Sequence, residues 1–120
     1  MKIVNNTKPL VEAIIDGVRK IKGINIVNLN LSKLTDPVCE SFIICHGESN
    51  TQVYAIANSV EKTVKETIGE KAWHKEGLEN AQWILIDYAN VVVHIFQKEY
   101  RDYYKLEDLW ADAEVIKIES

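Results

Sequence analysis

Five side chains in this sequence could offer a thiolate or an imidazole to a metal: Cys39, Cys45, His46, His74 and His94. Structural zinc sites are normally built from ligand pairs at short spacing. An interval of six between the two cysteines is no such pair. Cys45 and His46, as neighbours on an extended segment, point to opposite faces. No metal centre is expected. A nucleophilic triad can be drawn from Ser49, His94 and Asp87, yet the residues around Ser49, His46-Gly47-Glu48-Ser49-Asn50, lack the pattern of a nucleophile elbow. A serine just ahead of a helix reads as its N-cap. His94, inside Val91-Val92-Val93-His94-Ile95-Phe96, reads as a packed histidine with a hydrogen-bond partner.

Phosphate binding is the more serious rival. A strand, then Gly47-Glu48-Ser49, then a helix resembles the entry of nucleotidyltransferase-fold enzymes, where a helix N-terminus holds phosphate. In-line phosphoryl transfer also needs closely spaced carboxylates for metal ions. Here Glu48 would repel phosphate, and Asp87 has Ala89, not a second carboxylate, two residues on. The scaffold is expected to be of that type without its catalytic motif, so neither catalytic residues nor a cofactor are expected. What remains is aromatic: Trp83, Tyr88, and Tyr100, Tyr103, Tyr104 and Trp110 along the last helix. Such residues anchor protein interfaces or fill a small core.

The elements that must position these groups follow from periodicity. Leu10, Ile14, Val18 and Ile21 predict a helix over 9–21, with Thr7 as N-cap, Pro9 in the first turn and Gly23 as stop. Ile24 to Leu31 alternates, placing Val27, Leu29 and Leu31 on one face of a strand. Pro37 punctuates a connection, and Phe42 to Cys45 predicts a buried strand. Val53, Ile56, Val60, Val64 and Ile68 form the stripe of a second helix, capped by Ser49 or Asn50 and closed by Gly69. A polar loop is expected over 70–82. Trp83–Ile86 and Val91–Phe96 then form an antiparallel hairpin through Asp87-Tyr88-Ala89-Asn90. A third helix is predicted over 99–109, then a tail over 111–120 with a short extended piece at 115–118. The order α-β-β-α-β-β-α predicts one α/β (α+β) domain over 1–120, a mixed sheet flanked by helices.

A chain of 120 residues, 47% of them hydrophobic, can bury a core without disulfides or metal. No apolar run reaches the roughly 20 residues of a membrane helix. Met1-Lys2-Ile3-Val4-Asn5-Asn6 lacks the features of a secretory signal, so the cytoplasm is the expected compartment, with thiols reduced. The net charge is −4, and most of it falls in residues 98–120, which carry four basic and seven acidic side chains. An acidic end repels nucleic-acid phosphates, so no direct sequence-specific nucleic-acid binding is expected. It suits a basic protein partner, or serves solubility alone.

Together the motifs resemble the Iojap, or ribosomal silencing factor, family over about residues 8–114. The resemblance rests on Phe42-Ile43-Ile44-Cys45 with Gly47 and Ser49, on Glu76-Gly77, on Trp83-Ile84-Leu85-Ile86-Asp87-Tyr88, on Val91–Phe96, and on Arg101-Asp102-Tyr103-Tyr104-Lys105-Leu106-Glu107-Asp108-Leu109-Trp110. It implies a translational repressor that binds the large ribosomal subunit through its fourteenth protein and sterically blocks joining of the small subunit. It also implies the absence of catalytic residues and an interface around Trp83 and the adjoining sheet face. Glu76, Trp83, Asp87, Tyr88 and Tyr104 are the expected contacts, the carboxylates meeting basic side chains. A homodimer through the same apolar surface is compatible with this reading. Two departures stand out: Glu40-Ser41-Phe42 replaces the family's usual Asp-Tyr-Phe, and Ala89-Asn90 its usual Gly-Asp. A nucleotide-binding enzyme using the turn at Gly47 and a non-ribosomal adaptor remain as alternatives.

Overall fold

The computed structural model describes residues 7–34 and 38–119; the expected punctuation at Pro37 lies outside them. Helix α1 spans Thr7–Lys20 and buries the predicted stripe of Leu10, Ile14 and Val18. Thr7 lies inside the helix rather than capping it. Its hydroxyl instead donates to Glu40 Oε2 at 2.9 Å and accepts from Asn90 Nδ2 at 2.8 Å. The helix ends in a turn whose left-handed residue is Lys22, at φ 57°, and Gly23 follows, its N–H donating to the Val18 carbonyl at 3.0 Å. Gly23 is needed for space, since a Cβ there would overlap the Val18 side chain.

Strands β1 (Ile24–Asn30) and β2 (Ser41–Gly47) pair antiparallel, with a register shift between Ile24 and Val27. Helix α2 runs Asn50–Ile68. Ser49 caps it, accepting from Gln52 N at 3.1 Å, and Gly69 closes it at φ 74°, both as expected. Helices α1 and α2 meet closely at Gly17, where a Cβ would come within 2.7 Å of Val60 Cα. Ser59 Oγ donates to the Gly17 carbonyl at 2.7 Å where the two helices touch.

The segment expected to be a polar loop contains a strand, β3 (His74–Glu76), paired antiparallel with β4 (Trp83–Asp87). Its three residues are all exposed, so no apolar alternation marked it. β4 pairs antiparallel with β5 (Val91–Gln97), the predicted hairpin. The predicted third helix is two pieces, α3 (Lys98–Tyr104) and α4 (Leu106–Leu109), broken where Lys105 turns left-handed at φ 49°. That break lets Leu106 turn back onto the sheet, where it is buried. Within the expected tail, the extended piece predicted at 115–118 is a strand, β6 (Glu114–Ile118), paired antiparallel with β1 along its length. It covers a ladder edge that β1 would otherwise present to solvent.

The sheet order is β3-β4-β5-β2-β1-β6, with β2 and β5 parallel in the middle. The result is one compact α+β domain with a mixed sheet. Helices α1 and α2 cover one face, the helix face, over Ile43, Cys45, Ile84, Ile86, Val93 and Ile95. The opposite face carries Val27, Leu29, Leu31, Phe42, Ile44 and Phe96, capped by Leu106 and Ala113 with Tyr100 and Trp110 beside them.

Candidate partner-docking face

Strand alternation decides which groups share a surface. In β4, Ile84 and Ile86 are buried on the helix face, so Trp83, Leu85 and Asp87 turn to the other side, each half-buried. The register sets Trp83 beside Phe96, Leu85 beside His94, and Asp87 beside Val92. On the far side, His74 pairs with Asp87 and Glu76 with Leu85. The capping layer of α3 and α4 packs over β1, β2 and Phe96. Beyond it, the β3–β4 half of this face carries Glu76, Trp83, Leu85 and Asp87, with Val92 of β5 alongside. The result is an apolar strip of Trp83, Leu85 and Val92 rimmed by carboxylates.

Trp83 is fixed on three sides. Its ring stacks on Phe96 at a centroid distance of 4.8 Å and 28° between planes, and Tyr104 lies 5.0 Å away. Its indole N–H donates to His94 Nδ1 at 3.1 Å. Phe42 meets His94 edge-on at 4.6 Å and Trp110 at 5.5 Å. An aromatic ladder thus runs from Trp110 through Phe42 and His94 to Trp83 and Tyr104, and Tyr103 continues it at 5.1 Å. Tyr104 is 47% exposed and Tyr103 77%.

His94 is buried, and burial pushes its pKa down to about 4. The ring is therefore neutral at pH 7. Accepting the indole proton on Nδ1 assigns its own proton to Nε2, which has no hydrogen-bond partner among the described residues. In the unfolded chain this histidine titrates near 6.5. As the pH falls below 6.5 the unfolded state takes up a proton that the folded state refuses until about 4. Folding stability is thus fully present above 6.5 and declines as the pH falls through this window. The decline due to His94 is expected to reach about 2–3 kcal/mol. Urea unfolding of the wild type and His94→Gln between pH 7 and 4 checks this. The variant should lose much of the wild type's pH slope, and parallel curves would refute the assignment.

Five partner contacts were expected from the sequence. Glu76 is exposed and hydrogen-bonded to His74 Nε2 at 2.7 Å. Asp87 accepts the Ala89 N–H at 2.7 Å, so it also holds the hairpin turn. These two, Trp83 and the neighbouring Tyr104 belong to one surface. Tyr88 does not. It is only 3% exposed and packs in the helix-face core, because the turn directs it to the side of Ile86. The expectation of a partner contact at Tyr88 is corrected accordingly. Leu85 and Val92 share this surface without having been among the expected residues, although the alternation about Ile84 and Ile86 could have flagged Leu85.

The two departures from the family pattern touch each other. The Asn90 carbonyl accepts from the N–H groups of Glu40, at 2.9 Å, and Ser41, at 3.3 Å. They lie at the end of β4–β5 opposite Trp83. Ala89 sits at φ 76°, the conformation that favours glycine, and Asn90 N–H donates to the Tyr88 carbonyl at 3.0 Å across it.

The other candidate chemistry is dispersed. Cys45 is buried on the helix face, while His46 faces the opposite way and accepts from Arg101 Nη1 at 2.9 Å. Burial pushes the thiols of Cys39 and Cys45 up to about 11 and about 12. Ser49, His94 and Asp87 each bond elsewhere, to Gln52, Trp83 and Ala89. At the phosphate-like turn, Gln52 Oε1 accepts the Glu48 N–H at 2.8 Å, and its amide donates to the carbonyls of Ile21 and Lys22.

Comparison with known proteins places this geometry among relatives. Residues 4–120 match the protein family described as "Ribosomal silencing factor during starvation". A ribosomal silencing factor of Halalkalibacterium halodurans is 39% identical over 114 residues, covering 95% of this chain and 96% of that one. One from Chromobacterium violaceum is 42% identical over 92% of this chain and 85% of its own. The chloroplastic protein Iojap of Zea mays is 35% identical over 64% of this chain and 33% of its own length. A crystal structure from Chromobacterium violaceum superimposes with a TM-score of 0.81 at 39% identity, covering 92% of this chain and 88% of that one. Another, from Bacillus halodurans, gives 0.77 at 37% identity, covering 92% and 99%.

Proposed function

Because this chain belongs to the ribosomal silencing factor family, we propose that it is a translational repressor. It acts by occupying the large ribosomal subunit through the fourteenth ribosomal protein, so that the small subunit cannot join. The observation that carries the location is the apolar strip of Trp83, Leu85 and Val92 beyond the α3–α4 layer. Apolar area with aromatic anchors supplies affinity, and flanking carboxylates select a basic partner. Trp83 is the anchor, held in one orientation by Phe96, His94 and Tyr104, so little freedom is lost when a partner covers it. Glu76 and Asp87 meet basic side chains at the rim. A homodimer through the same strip would compete with the ribosome.

Repression of this kind needs no turnover, cofactor or metal. The Gly47 turn gives the nucleotide-binding reading little support, because the Gln52 side chain takes the amide that a phosphate would use. Among the described residues no helix is long and apolar enough to cross a membrane. A ribosome-bound repressor would work in the cytoplasm.

Leu85→Glu is the cleanest test, because Leu85 is half-buried on the strip and its aliphatic side chain has no hydrogen bond to lose. Co-sedimentation with purified large subunits should weaken at least about tenfold, the scale expected for a residue at the centre of an interface. Undiminished binding by the folded variant would move the interface elsewhere. Failure of the wild type to bind large subunits even at low salt would sink the ribosomal reading.

A further inference from the structure

We infer that the lysine-rich groove on the helix side of the β3 edge, together with the indole of Trp73, is an RNA-binding site that takes a backbone phosphodiester and stacks an unpaired base. The inference rests on the ribosomal reading above and extends it to a second surface.

The groove has a volume of about 410 Å³ and lies between the C-terminal half of α2 and the segment leading into β3. Lys62, Lys65, Lys71 and Lys75 line it, against the carboxylates of Glu61 and Glu70. Glu61 is held by Lys75 at 3.1 Å. Four cations against two carboxylates is a local excess of positive charge in a chain of net charge −4. Tyr88 also lines the groove, and its hydroxyl has no hydrogen-bond partner among the described residues. That hydroxyl is sealed from solvent, so Tyr88 forms the floor of the groove and the lysines are its ligand-facing groups.

Positive charge alone would fit any anion, and Trp73 points to RNA. It stands between Lys71 and Lys75 in the chain and is 81% exposed, the highest value among the exposed large hydrophobic residues. Its backbone is ordered, with the N–H donating to the Asp87 carbonyl at 2.8 Å. A solvent-facing indole flanked in the chain by groove lysines is the combination that binds single-stranded nucleic acid without reading its sequence.

The position of the groove suits a particle of basic proteins embedded in RNA. Strand β3 divides the two surfaces. Its register sets His74 and Glu76 beside Asp87 and Leu85 on the docking face, while Lys75 falls beside Ile86 on the helix face. One edge of the domain therefore offers carboxylates on one side and lysines on the other.

The intact protein is titrated with a fluorescently labelled single-stranded RNA oligonucleotide, read by anisotropy at several salt concentrations. Lys65→Glu with Lys71→Glu, and separately Trp73→Ala, change exposed side chains only. Each should weaken oligonucleotide binding about tenfold. The lysine variant should also flatten the salt dependence by about 0.7 in logarithmic slope for each phosphate that is no longer neutralised. On large subunits both variants should bind less tightly, while their affinity for the isolated fourteenth protein stays at the wild-type value. RNA binding that is absent, or unchanged in both variants, overturns the inference. So does saturation by inorganic phosphate or a mononucleotide without binding of the oligonucleotide. If the wild type fails to bind subunits, the ribosomal reading falls, and the oligonucleotide result still decides this site.

Discussion

Replacing Arg101 with alanine is expected to remove about 3 kcal/mol of folding stability, the scale of breaking a buried charged pair. With ordinary urea dependence this lowers the unfolding midpoint by about 1–3 M. The reason is the number of groups that one guanidinium satisfies. Arg101 is 7% exposed. It donates to the Asn25 carbonyl at 2.8 Å, to that of Ile24 at 3.4 Å and to His46 Nδ1 at 2.9 Å. It also pairs with Glu107 at 2.8 Å. These bonds tie α3 to the start of β1, the end of β2 and α4. Asn25 sits at φ 50° within the register shift of β1, and its carbonyl would be left without this charged partner on truncation. Lysine carries the charge without the planar fork, so Arg101→Lys should recover less than half of the stability. His46 supplies an independent readout. Its pKa is held down by burial and then by Arg101. In Arg101→Ala, NMR titration should find it higher. A destabilisation below about 1 kcal/mol with an unmoved His46 would show that the guanidinium is not the tie.

The second large effect is expected at Gly77. Its φ of 84° is one that side-chain-bearing residues rarely adopt, and a Cβ there would overlap the Trp83 carbonyl. Gly77→Ala must therefore push apart the backbones that join β3 to β4. A destabilisation of about 2–4 kcal/mol is expected, combining the unfavourable φ with overpacking. Should the fold tolerate the change by releasing β3, hydrogen exchange at Lys75 and Ile86, which pair across the ladder, will speed up while the α2 amides stay protected. Large-subunit binding should weaken with it, because Glu76 would leave the rim. A variant as stable as the wild type, with unchanged exchange, would contradict the steric reading of Gly77.

Much of this molecule was legible from the chain alone. Helix α2 carries its own stripe, its Ser49 cap and its Gly69 stop, all local signals. The hairpin of β4 and β5 was equally clear, because two apolar runs are joined by a short link. The strand missed was the one with no pattern to read: β3 is exposed along its length, whereas the extended piece expected at 115–118 is β6. Each exists because a neighbour offers an unpaired ladder, which is a tertiary fact. The left-handed turn at Lys105 was hidden because lysine is not a residue that announces such a turn.

The candidate site divides in the same way. Trp83, Asp87, Glu76 and Tyr104 were chosen by type and by family resemblance, and one surface holds them. Tyr88, chosen on the same grounds, is in the opposite core. Periodicity by itself determined the apolar faces of the elements and the buried strands, and the order of the motifs pointed to the family. Only the tertiary structure decided which face the helices cover, which aromatic residues remain at the surface, and that Arg101 is a buried tie rather than a surface charge. The physical reason is range. Side-chain alternation and capping act within a few residues of the chain, whereas coverage depends on pairings and packing between segments distant in sequence.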